Sequence, residues 1–329
     1  MASIRILGTG GTIASRQGDG GVVSAERAET LIKTLSRRHT ITVRDITNTG
    51  SYRLQLSDVR TIAHAARRAV LDSTVDGVVI MHGTDTMEET SFLLDLVHAS
   101  PKPVVFTGAQ HPADSPVADG PRNLEEAVEA AASGELRGAG VLISFAGTVR
   151  SARGARKIST TAADPFGGGT EVAHFIGTSL HVTALPIRPD PLPMPGEDFD
   201  GARVEIIEYA LGSGPELFIA AVQAGADAVV LAGSGTGNAG PGFVDAVQDA
   251  VRAGCPVILS TRVPQGPVVP VYGDGGGVDL VKAGAVPAGD LKPPQARMLA
   301  ALLTSLPATP EQILQALTAS PARRPGGTN

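Results

Sequence analysis

The sequence predicts an α/β protein, with a parallel-sheet N-terminal domain and a smaller α/β C-terminal domain. Three observations predict this fold class. Short apolar runs alternate with longer helical patterns, which is typical of βα units around a parallel sheet. The 329 residues include no tryptophan and only 3% aromatic residues, so Val, Leu, Ile and Ala must form most of the core. A proline-rich stretch interrupts the alternation between residues 186 and 195.

The first series of apolar runs predicts the N-terminal domain. Strands are expected at residues 4–7, 41–46, 77–81, 104–107 and 141–145. Helical patterns lie between and after them at residues 24–38, 57–71, 88–99 and 121–133. In the second of these patterns, Ile62, Ala66 and Val70 recur at helical spacing and predict one buried face.

The proline-rich stretch divides the chain into two parts. Its prolines are Pro186, Pro189, Pro191, Pro193 and Pro195. They exclude both a helix and a central strand, because proline lacks the backbone N–H. We therefore predict an N-terminal catalytic domain at residues 1–186, a semi-extended proline-rich linker at 187–202 and a C-terminal domain at 203–329.

A second βα series follows the linker, with strands expected at residues 203–209, 228–231 and 257–260. The chain is expected to end in helices. Thr309-Pro310-Glu311-Gln312 combines a capping hydroxyl, a proline at the first helical position and a glutamine that completes a capping box. The tail at 323–329 is expected to fray and to have no function.

Net charge and hydropathy limit the partners of the chain. The formal net charge is −6, so neither a nucleic acid backbone nor an anionic membrane surface is an expected partner. A small-molecule substrate fits better. No run of about 18 apolar residues occurs. We expect a cytoplasmic protein, although a chain trimmed of a secretory leader would have the same features.

Metal and thiol chemistry are not expected. Cys255 is the only cysteine, so neither an intrachain disulfide nor a thiolate metal cluster can form, and its surroundings predict a small core residue. His82, His98 and His111 lack metal-ligand spacing and are expected to be structural. The sequence therefore gives no sign of a metal site built from cysteine or histidine.

Two similar turns carry the residues that suggest chemistry. One is Ile6-Leu7-Gly8-Thr9-Gly10-Gly11-Thr12-Ile13, and the other is Met81-His82-Gly83-Thr84-Asp85-Thr86-Met87-Glu88-Glu89-Thr90. Each places a threonine after an apolar strand and a glycine-containing turn. Because the carboxyl ends of parallel strands lie at one edge of a sheet, the hydroxyls of Thr12 and Thr84 are expected to converge. Such a pair favours acyl-transfer chemistry over passive binding.

A threonine hydroxyl is a weak nucleophile near neutral pH, so it needs a proton acceptor and donors for the developing oxyanion. Gly10 and Gly11 let the backbone approach a ligand and direct N–H groups at it, and Asp85 places a carboxylate beside Thr84. The alternative is that Thr12 only caps a turn, which is the commoner role of an isolated Gly-Gly-Thr sequence.

Two further segments extend this hypothesis. Thr49-Gly50-Ser51 follows the second predicted strand, and its hydroxyl and N–H groups suit a carboxylate at the same edge of the sheet. Lys157 lies among small residues, where pairing with Asp85 would let it relay a proton from Thr84. The alternative for Lys157 is a solvated surface position.

Four motifs together resemble those of bacterial L-asparaginases. They are Thr9-Gly10-Gly11-Thr12-Ile13-Ala14, His82-Gly83-Thr84-Asp85-Thr86-Met87-Glu88-Glu89-Thr90, Ala118-Asp119-Gly120-Pro121-Arg122-Asn123-Leu124 and Ser260-Thr261-Arg262-Val263-Pro264. The resemblance covers nearly the whole chain. It implies hydrolysis of the side-chain amide of L-asparagine to L-aspartate and ammonia, without metal or cofactor.

The resemblance also implies catalytic roles. Thr12 is similar to the nucleophile that forms an acyl-enzyme. Thr84, Asp85 and Lys157 are similar to the second catalytic group, in which Lys157 and Thr84 manage the proton of the attacking water or hydroxyl.

Substrate-binding roles are implied in the same way. Ser51 and Asp85 resemble the groups that hold the α-carboxylate and α-ammonium of the substrate, with Gly11 and Gly50 beside them. The backbone of Ala109 is expected to face the substrate amide.

The family resemblance further implies a homodimer or homotetramer, because the second domain of a neighbouring subunit completes each active site. Asn238 resembles the asparagine contributed in this way. The alternative is that Asn238 is simply a turn residue.

The chain departs from the family pattern at two places. The lid after the first threonine normally carries a tyrosine that activates the nucleophile, but residues 14–26 contain none. Tyr52, beside Ser51, is one candidate to replace it, and another activation route is the alternative. The acidic residue that a neighbouring subunit offers has no clear match at 268–277, where Asp274 is the only carboxylate.

Three alternative functions stay open at this point. One is a glutaminase-asparaginase of mixed specificity, because one methylene gives little discrimination. Another is a noncatalytic amino-acid receptor, which the missing lid tyrosine suggests. The third is a nucleotide-binding protein, because Gly235-Thr236-Gly237-Asn238-Ala239-Gly240 matches Gly-x-Gly-x-x-Gly after a predicted strand. A serine-hydrolase Gly-x-Ser-x-Gly motif is absent from the sequence.

Overall fold

The computed structural model describes residues 1–18, 21–24, 28–32, 35–36 and 38–307. The chain has two compact units, Met1–Met194 and Pro195–Asn329. The linker predicted at 187–202 includes a 3-10 helix at Glu197–Gly201, in which Phe199 is buried. Among the described residues, no helix has the length and apolar character needed to cross a membrane.

The first unit combines a large sheet with helices. Its strands are β1 (Ser3–Gly8), β2 (Ser15–Gly18), β3 (Gly21–Ser24), β4 (Thr40–Asp45), β5 (Gly77–Met81), β6 (Val104–Thr107), β7 (Val141–Phe145), β8 (Thr148–Ser151), β9 (Ala155–Lys157), β10 (Phe166–Gly168), β11 (Glu171–Ile176) and β12 (Ser179–Val182). Its helices are α1 (Ala28–Leu31), α2 (Leu56–Leu71), α3 (Met87–Val97) and α4 (Gly120–Ala132).

Eight of these strands form one sheet in the order β12-β11-β8-β7-β6-β5-β1-β4. Five neighbouring strands, β7, β6, β5, β1 and β4, are parallel to one another. Strands β8, β11 and β12 extend the sheet in antiparallel sense. Gly8 lies opposite both Asp45 and Met81, and Met81 lies opposite Thr107. The central strands therefore end together along one edge of the sheet, where ligands bind in open α/β folds.

Helices cover both faces of the central strands, which explains why β5 is buried along its whole length. On one face Val79 belongs to the same core as Ala127 of α4, and on the other Ile80 belongs to the same core as Ile62 of α2. Local sequence fixes where these helices begin. Gln55 and the third residue of α2 form a capping box, and α4 has a proline in its first turn.

The second unit has its own sheet and core. Its strands are β13 (Val204–Glu208), β14 (Ala228–Gly233), β15 (Val257–Thr261) and β16 (Val286–Pro287), which form a parallel sheet in sequential order. Its helices are α5 (Glu216–Gln223), α6 (Phe243–Arg252), α7 (Gly277–Lys282) and α8 (Pro293–Thr304). Cys255 is buried in this core, and burial raises the pKa of its thiol to about 11.

The predicted fold class is confirmed, and β5, β6 and β7 have the bounds that the sequence predicts. The strands from β8 to β12 were not expected. Of the helix predicted at 24–38, the structure describes α1, while 25–27, 33–34 and 37 lie outside the described residues. The helix start at 309–312 and the tail at 323–329 also lie outside them.

Candidate active site

The two threonine-bearing turns are in direct contact. Both the N–H and the hydroxyl of Thr9 donate to the carbonyl of Met81, at 3.0 and 2.8 Å. Gly11 has a φ of 90°, and a Cβ at this position would lie only 2.5 Å from the backbone nitrogen of Gly83. Glycine is therefore required at residue 11 both for its left-handed conformation and for the close approach of the second turn.

A third turn joins this contact at Ser51. Gly10 has a φ of 96°, and a Cβ there would lie 2.5 Å from the backbone nitrogen of Thr49. Ser51 begins a 3-10 helix at Ser51–Arg53, and a Cβ on Gly83 would lie 2.6 Å from its Oγ. Among the described residues, this buried Oγ has no hydrogen-bond partner. An unpaired buried hydroxyl beside the two turns is well placed to bind a polar ligand.

Thr84, Asp85 and Lys157 form a hydrogen-bonded group. Lys157 Nζ donates to Thr84 Oγ1 at 2.9 Å and to Asp85 Oδ1 at 2.7 Å. Thr84 is buried, whereas the side chain of Lys157 is 19% exposed and that of Asp85 is 54% exposed. Lys157 is thus not a solvated surface lysine. Its ammonium lies within the distance at which a proton passes between a lysine and a threonine.

Lys157 reaches this group from β9, which pairs with β10 in a separate two-stranded sheet. The backbone N–H of Lys157 donates to Glu88 Oε2 at 2.5 Å. Burial raises the pKa of Glu88 to about 7, while this hydrogen bond and the charges of Arg156 and Lys157 oppose the shift. No role for Glu88 is predicted from the sequence, because the residue whose N–H it accepts, Lys157, lies 69 positions away.

The loop at Ala109 is held by the third motif of the sequence. Asp119 accepts hydrogen bonds from the backbone N–H groups of Gln110 and His111, at 3.0 and 2.9 Å. Asn123 donates to the carbonyl of residue 108 at 3.0 Å. These bonds fix the backbone on both sides of Ala109, so the motif has a clear structural purpose.

Gln110 is a second residue whose role sequence reasoning missed. Its Oε1 accepts a hydrogen bond from Thr84 Oγ1 at 3.2 Å, and its Nε2 donates to the carbonyls of Thr160 and Ala162. The amide therefore links Thr84 to the loop that follows Lys157.

Thr12 begins a 3-10 helix at Thr12–Ala14, directly after Gly11, and is half-buried. A Cβ on Gly120 would lie 2.8 Å from Ile13 Cγ1 and 3.5 Å from Ala109 Cβ. The segment that carries Thr12 therefore packs near the Ala109 loop. The structure thus links the segments of all N-terminal site residues predicted from the sequence.

The buried histidines behave as structural residues. Burial lowers the pKa of His82 to about 4, and its Nδ1 is 2.7 Å from the carbonyl oxygen of Gly83, so the neutral ring donates to this carbonyl. Burial, with the charge of Arg188, also lowers the pKa of His98 to about 4. Among the described residues, no group of three or more His, Cys, Asp or Glu is arranged to hold a metal ion.

Part of the predicted lid at 14–26 has regular secondary structure. Strands β2 and β3 pair in antiparallel sense there, while residues 19–20 and 25–26 lie outside the described residues. Tyr52, the proposed substitute for the missing lid tyrosine, is 73% exposed, and a Cβ on Gly50 would lie 2.6 Å from its ring.

Asn238 lies in the second unit. Its backbone exchanges hydrogen bonds with Ser234, and its Oδ1 accepts from the N–H of Gly277 at 2.9 Å. The glycine-rich segment at 235–240 is closed into a turn by these bonds, and α6 begins only at Phe243. This geometry differs from a dinucleotide fingerprint, in which the glycine-rich turn leads directly into the helix. Asp274, in the same unit, has a left-handed φ of 51°.

Comparison with known proteins identifies the family. The family model described as "Asparaginase, N-terminal" matches residues 3–186, and "Glutaminase/Asparaginase C-terminal domain" matches residues 203–317. A probable L-asparaginase from Deinococcus radiodurans is 35% identical over 97% of this chain and 98% of that protein. A probable periplasmic L-asparaginase from Haemophilus influenzae is 35% identical over 96% of this chain and 92% of that protein.

A solved structure is similar along the same length. The crystal structure of a probable cytoplasmic L-asparaginase from Campylobacter jejuni has a TM-score of 0.84 and 30% identity, and covers 96% of this chain and 99% of that one. These similarities confirm the resemblance inferred from the four sequence motifs. The chain belongs to the asparaginase family.

Proposed function

We propose that this protein is an L-asparagine amidohydrolase that produces L-aspartate and ammonia through a threonine acyl-enzyme. The observation that carries the proposal is the contact between the two threonine-bearing turns, with Lys157 hydrogen-bonded to Thr84. The relatives named L-asparaginase support the same activity. The reaction uses no metal and no cofactor.

In the first half of the reaction, Thr12 is the nucleophile. Its oxygen forms an ester bond to the side-chain carbonyl carbon of asparagine, the C–N bond breaks, and the hydroxyl proton leaves with the amine as ammonia. Backbone N–H groups of the glycine turn at Gly11 stabilise the negative charge that develops on the carbonyl oxygen.

In the second half, water attacks the ester and releases aspartate. The water oxygen bonds to the ester carbonyl carbon, and the bond from this carbon to the Thr12 oxygen breaks. One proton leaves the water through Thr84 and Lys157, and the Thr12 oxygen takes up one proton and becomes a hydroxyl again, so that both relay residues return to their starting state. The 2.9 Å separation between Lys157 Nζ and Thr84 Oγ1 supports this relay. Asp85 keeps the lysine in place, because its Oδ1 accepts from the same Nζ at 2.7 Å.

The charged ends of asparagine bind beside the two threonines. The unpaired buried hydroxyl of Ser51, with the N–H groups that follow Gly50, binds the α-carboxylate. Asp85, half-exposed, binds the α-ammonium. The backbone of Ala109 faces the amide. A substrate that lacks either charged end leaves these groups unpaired and is therefore rejected.

We also propose that the protein is a homodimer or homotetramer, in which the C-terminal domain of a neighbouring subunit contributes Asn238 to each site. The proposal rests on the resemblance to the asparaginase family, and a neighbouring subunit would also cover large apolar side chains that the second unit exposes. Leu211 is 95% exposed and Leu217 is 75% exposed. Light scattering after size-exclusion chromatography tests the assembly, and a monomer at micromolar concentration would contradict it.

We also propose that the protein is cytoplasmic. The similarity to the probable cytoplasmic enzyme from Campylobacter jejuni supports this location, whereas the similarity to the probable periplasmic relative from Haemophilus influenzae supports a periplasmic one. Fractionation of the native host followed by immunodetection distinguishes the two.

The other functions are not favoured by these relatives, all of which are named L-asparaginases. The turn geometry at 235–240 also argues against dinucleotide binding. A mixed glutaminase activity is tested directly by the choice of substrates.

The test is release of ammonia from L-asparagine, L-glutamine and their D-forms. We expect the wild type to prefer L-asparagine, Thr12→Val to lose at least about a thousandfold in kcat, and Lys157→Met to lose about a hundredfold or more. Matched controls are Thr178→Val, in the exposed turn between β11 and β12, and Lys282→Met, whose side chain is 72% exposed. Unchanged activity in Thr12→Val would refute the nucleophile assignment.

A further inference from the structure

Lys157 is held at both ends by one short segment of the chain. Its ammonium donates to Thr84 and Asp85, which precede α3, and its backbone N–H donates to Glu88 in the first turn of that helix. A lysine has a long, flexible side chain, so the position of its backbone decides whether the ammonium reaches two acceptors at once.

The backbone of Lys157 needs such an anchor because β9 lies outside the large sheet. Lys157 is opposite Phe166 of β10, and beyond it the N–H of Ile158 donates to the carbonyl of Pro165 at 2.8 Å. The N–H of Lys157 itself donates to Glu88 instead of to β10. Glu88 therefore ties the three-residue strand to a helix that follows fully buried β5.

We propose that Glu88 is a positioning residue for the reaction, whose carboxyl oxygen holds the backbone of Lys157 against α3 so that the ammonium reaches Thr84 and Asp85. This proposal rests on the proposed function. It goes beyond that function because Glu88 contacts neither substrate nor reacting atoms in the mechanism given above.

The surroundings of Glu88 indicate that the accepting oxygen matters more than the charge. Burial raises the pKa of Glu88 to about 7, with Glu89 of α3 adding to the shift and Arg156 and Lys157 of β9 opposing it. Both protonation states are thus populated near neutral pH. Each of them keeps a carbonyl-type oxygen that accepts from the N–H of Lys157, and a glutamine at this position provides the same acceptor.

Three substitutions separate these features. Glu88→Gln keeps the length and the acceptor, Glu88→Asp keeps the charge but is one methylene shorter, and Glu88→Leu removes the acceptor. We expect Glu88→Gln to keep kcat within about threefold, and the other two to lose about 10- to 100-fold, because a shift of about 1 Å in a positioned group has this effect. KM for L-asparagine should stay within about twofold, since the proposed substrate contacts are unchanged.

A double-variant cycle shows whether Glu88 acts through Lys157. Adding Glu88→Leu to Lys157→Met should cause no further loss of ammonia release, whereas a general structural defect would lower it again. Glu216→Leu is the control, since it changes an exposed glutamate in the first turn of α5. An equal loss in Glu88→Gln and Glu88→Leu, or additive losses in the cycle, would overturn the proposal.

A measurement without substrate separates this proposal from the proposed function. In protein labelled with [15N]lysine, the amide of Lys157 should exchange with deuterium about tenfold faster or more in Glu88→Asp than in the wild type, and at the wild-type rate in Glu88→Gln. Unchanged exchange in Glu88→Asp would contradict the anchoring role. Wild-type protein that releases no ammonia from asparagine would instead refute the proposed function, while the exchange result still decides whether Glu88 holds Lys157.

Discussion

Replacing Gly83 by alanine tests the close packing of the three turns. The added Cβ would lie 2.6 Å from Ser51 Oγ and 2.9 Å from Ser51 Cβ. Gly83 is not among the glycines with positive φ, so the substitution introduces steric overlap without left-handed backbone strain. Overlap of this kind in a packed site costs about 2 kcal/mol. In a unit of this size, such a loss lowers Tm by about 4–8 °C.

The assay for Gly83→Ala combines thermal unfolding with the KM for L-asparagine. KM should rise about tenfold, because Ser51 is displaced from the position proposed for the α-carboxylate. Adding Ser51→Gly removes both overlapping atoms, so Tm should recover at least in part while KM stays high. Gly134→Ala is the control, since a Cβ there has no neighbour within 4 Å. If Gly83→Ala unfolds at the same temperature as Gly134→Ala and keeps the wild-type KM, the turns do not meet as described.

Three other predictions concern ionisable side chains that are buried or half-buried. The pKa of Glu88 is about 7 in the folded state against an ordinary value of 4.5, so its ionisation costs stability as pH rises from 4.5 to 7, up to about 3 kcal/mol. Glu88→Gln should therefore raise Tm at pH 8 and leave it nearly unchanged at pH 4, and an equal effect at both pH values would contradict the shift. The pKa of His82 is about 4 in the folded state against 6.5, so its stabilising contribution is lost as pH falls from 6.5 to 4. In His82→Gln the fall of Tm over this range should be shallower, and an unchanged slope would show that His82 does not titrate as inferred. Asp119→Ala removes the acceptor for two N–H groups beside Ala109 and should lower kcat about tenfold or more with a small loss of Tm, whereas a full wild-type kcat would show that the loop needs no such support.

Much of the fold was predictable because fully buried strands appear in the sequence as short apolar runs. The residues of β5, β6 and β7 are all buried, and each strand is a short, mainly apolar run, as expected for parallel strands covered on both faces. The strands β8 to β12 could not be recognised, since they are short and mix polar with apolar residues. In β12, exposed and half-buried residues alternate over only four positions. An antiparallel extension of this kind depends on its neighbours in the sheet more than on local sequence.

The sequence predicts the site residues that belong to a recognisable motif and also lie near the end of a predicted strand. Thr84 and Asp85 lie within four residues of the end of β5, so the rule for parallel strands places them at the edge of the sheet. Glu88 and Gln110 carry no such signal. A glutamate in the first turn of a helix is ordinarily explained by the helix dipole, and Glu88 accepts its hydrogen bond from a residue 69 positions away. Their roles follow from tertiary contacts alone.

Thr84 and Lys157 are therefore held in place by different parts of the fold. Thr84 lies on a turn fixed by fully buried β5 and by contact with Gly11, whereas Lys157 lies on a two-stranded hairpin outside the main sheet. The hydrogen bond from the Lys157 N–H to Glu88 and the link from Thr84 through Gln110 to the loop after Lys157 both connect the hairpin to the fixed side. Because a proton relay depends on distances within a few tenths of an ångström, these links determine how well the lysine is positioned. Substitutions in them should change kcat before they change the affinity for substrate.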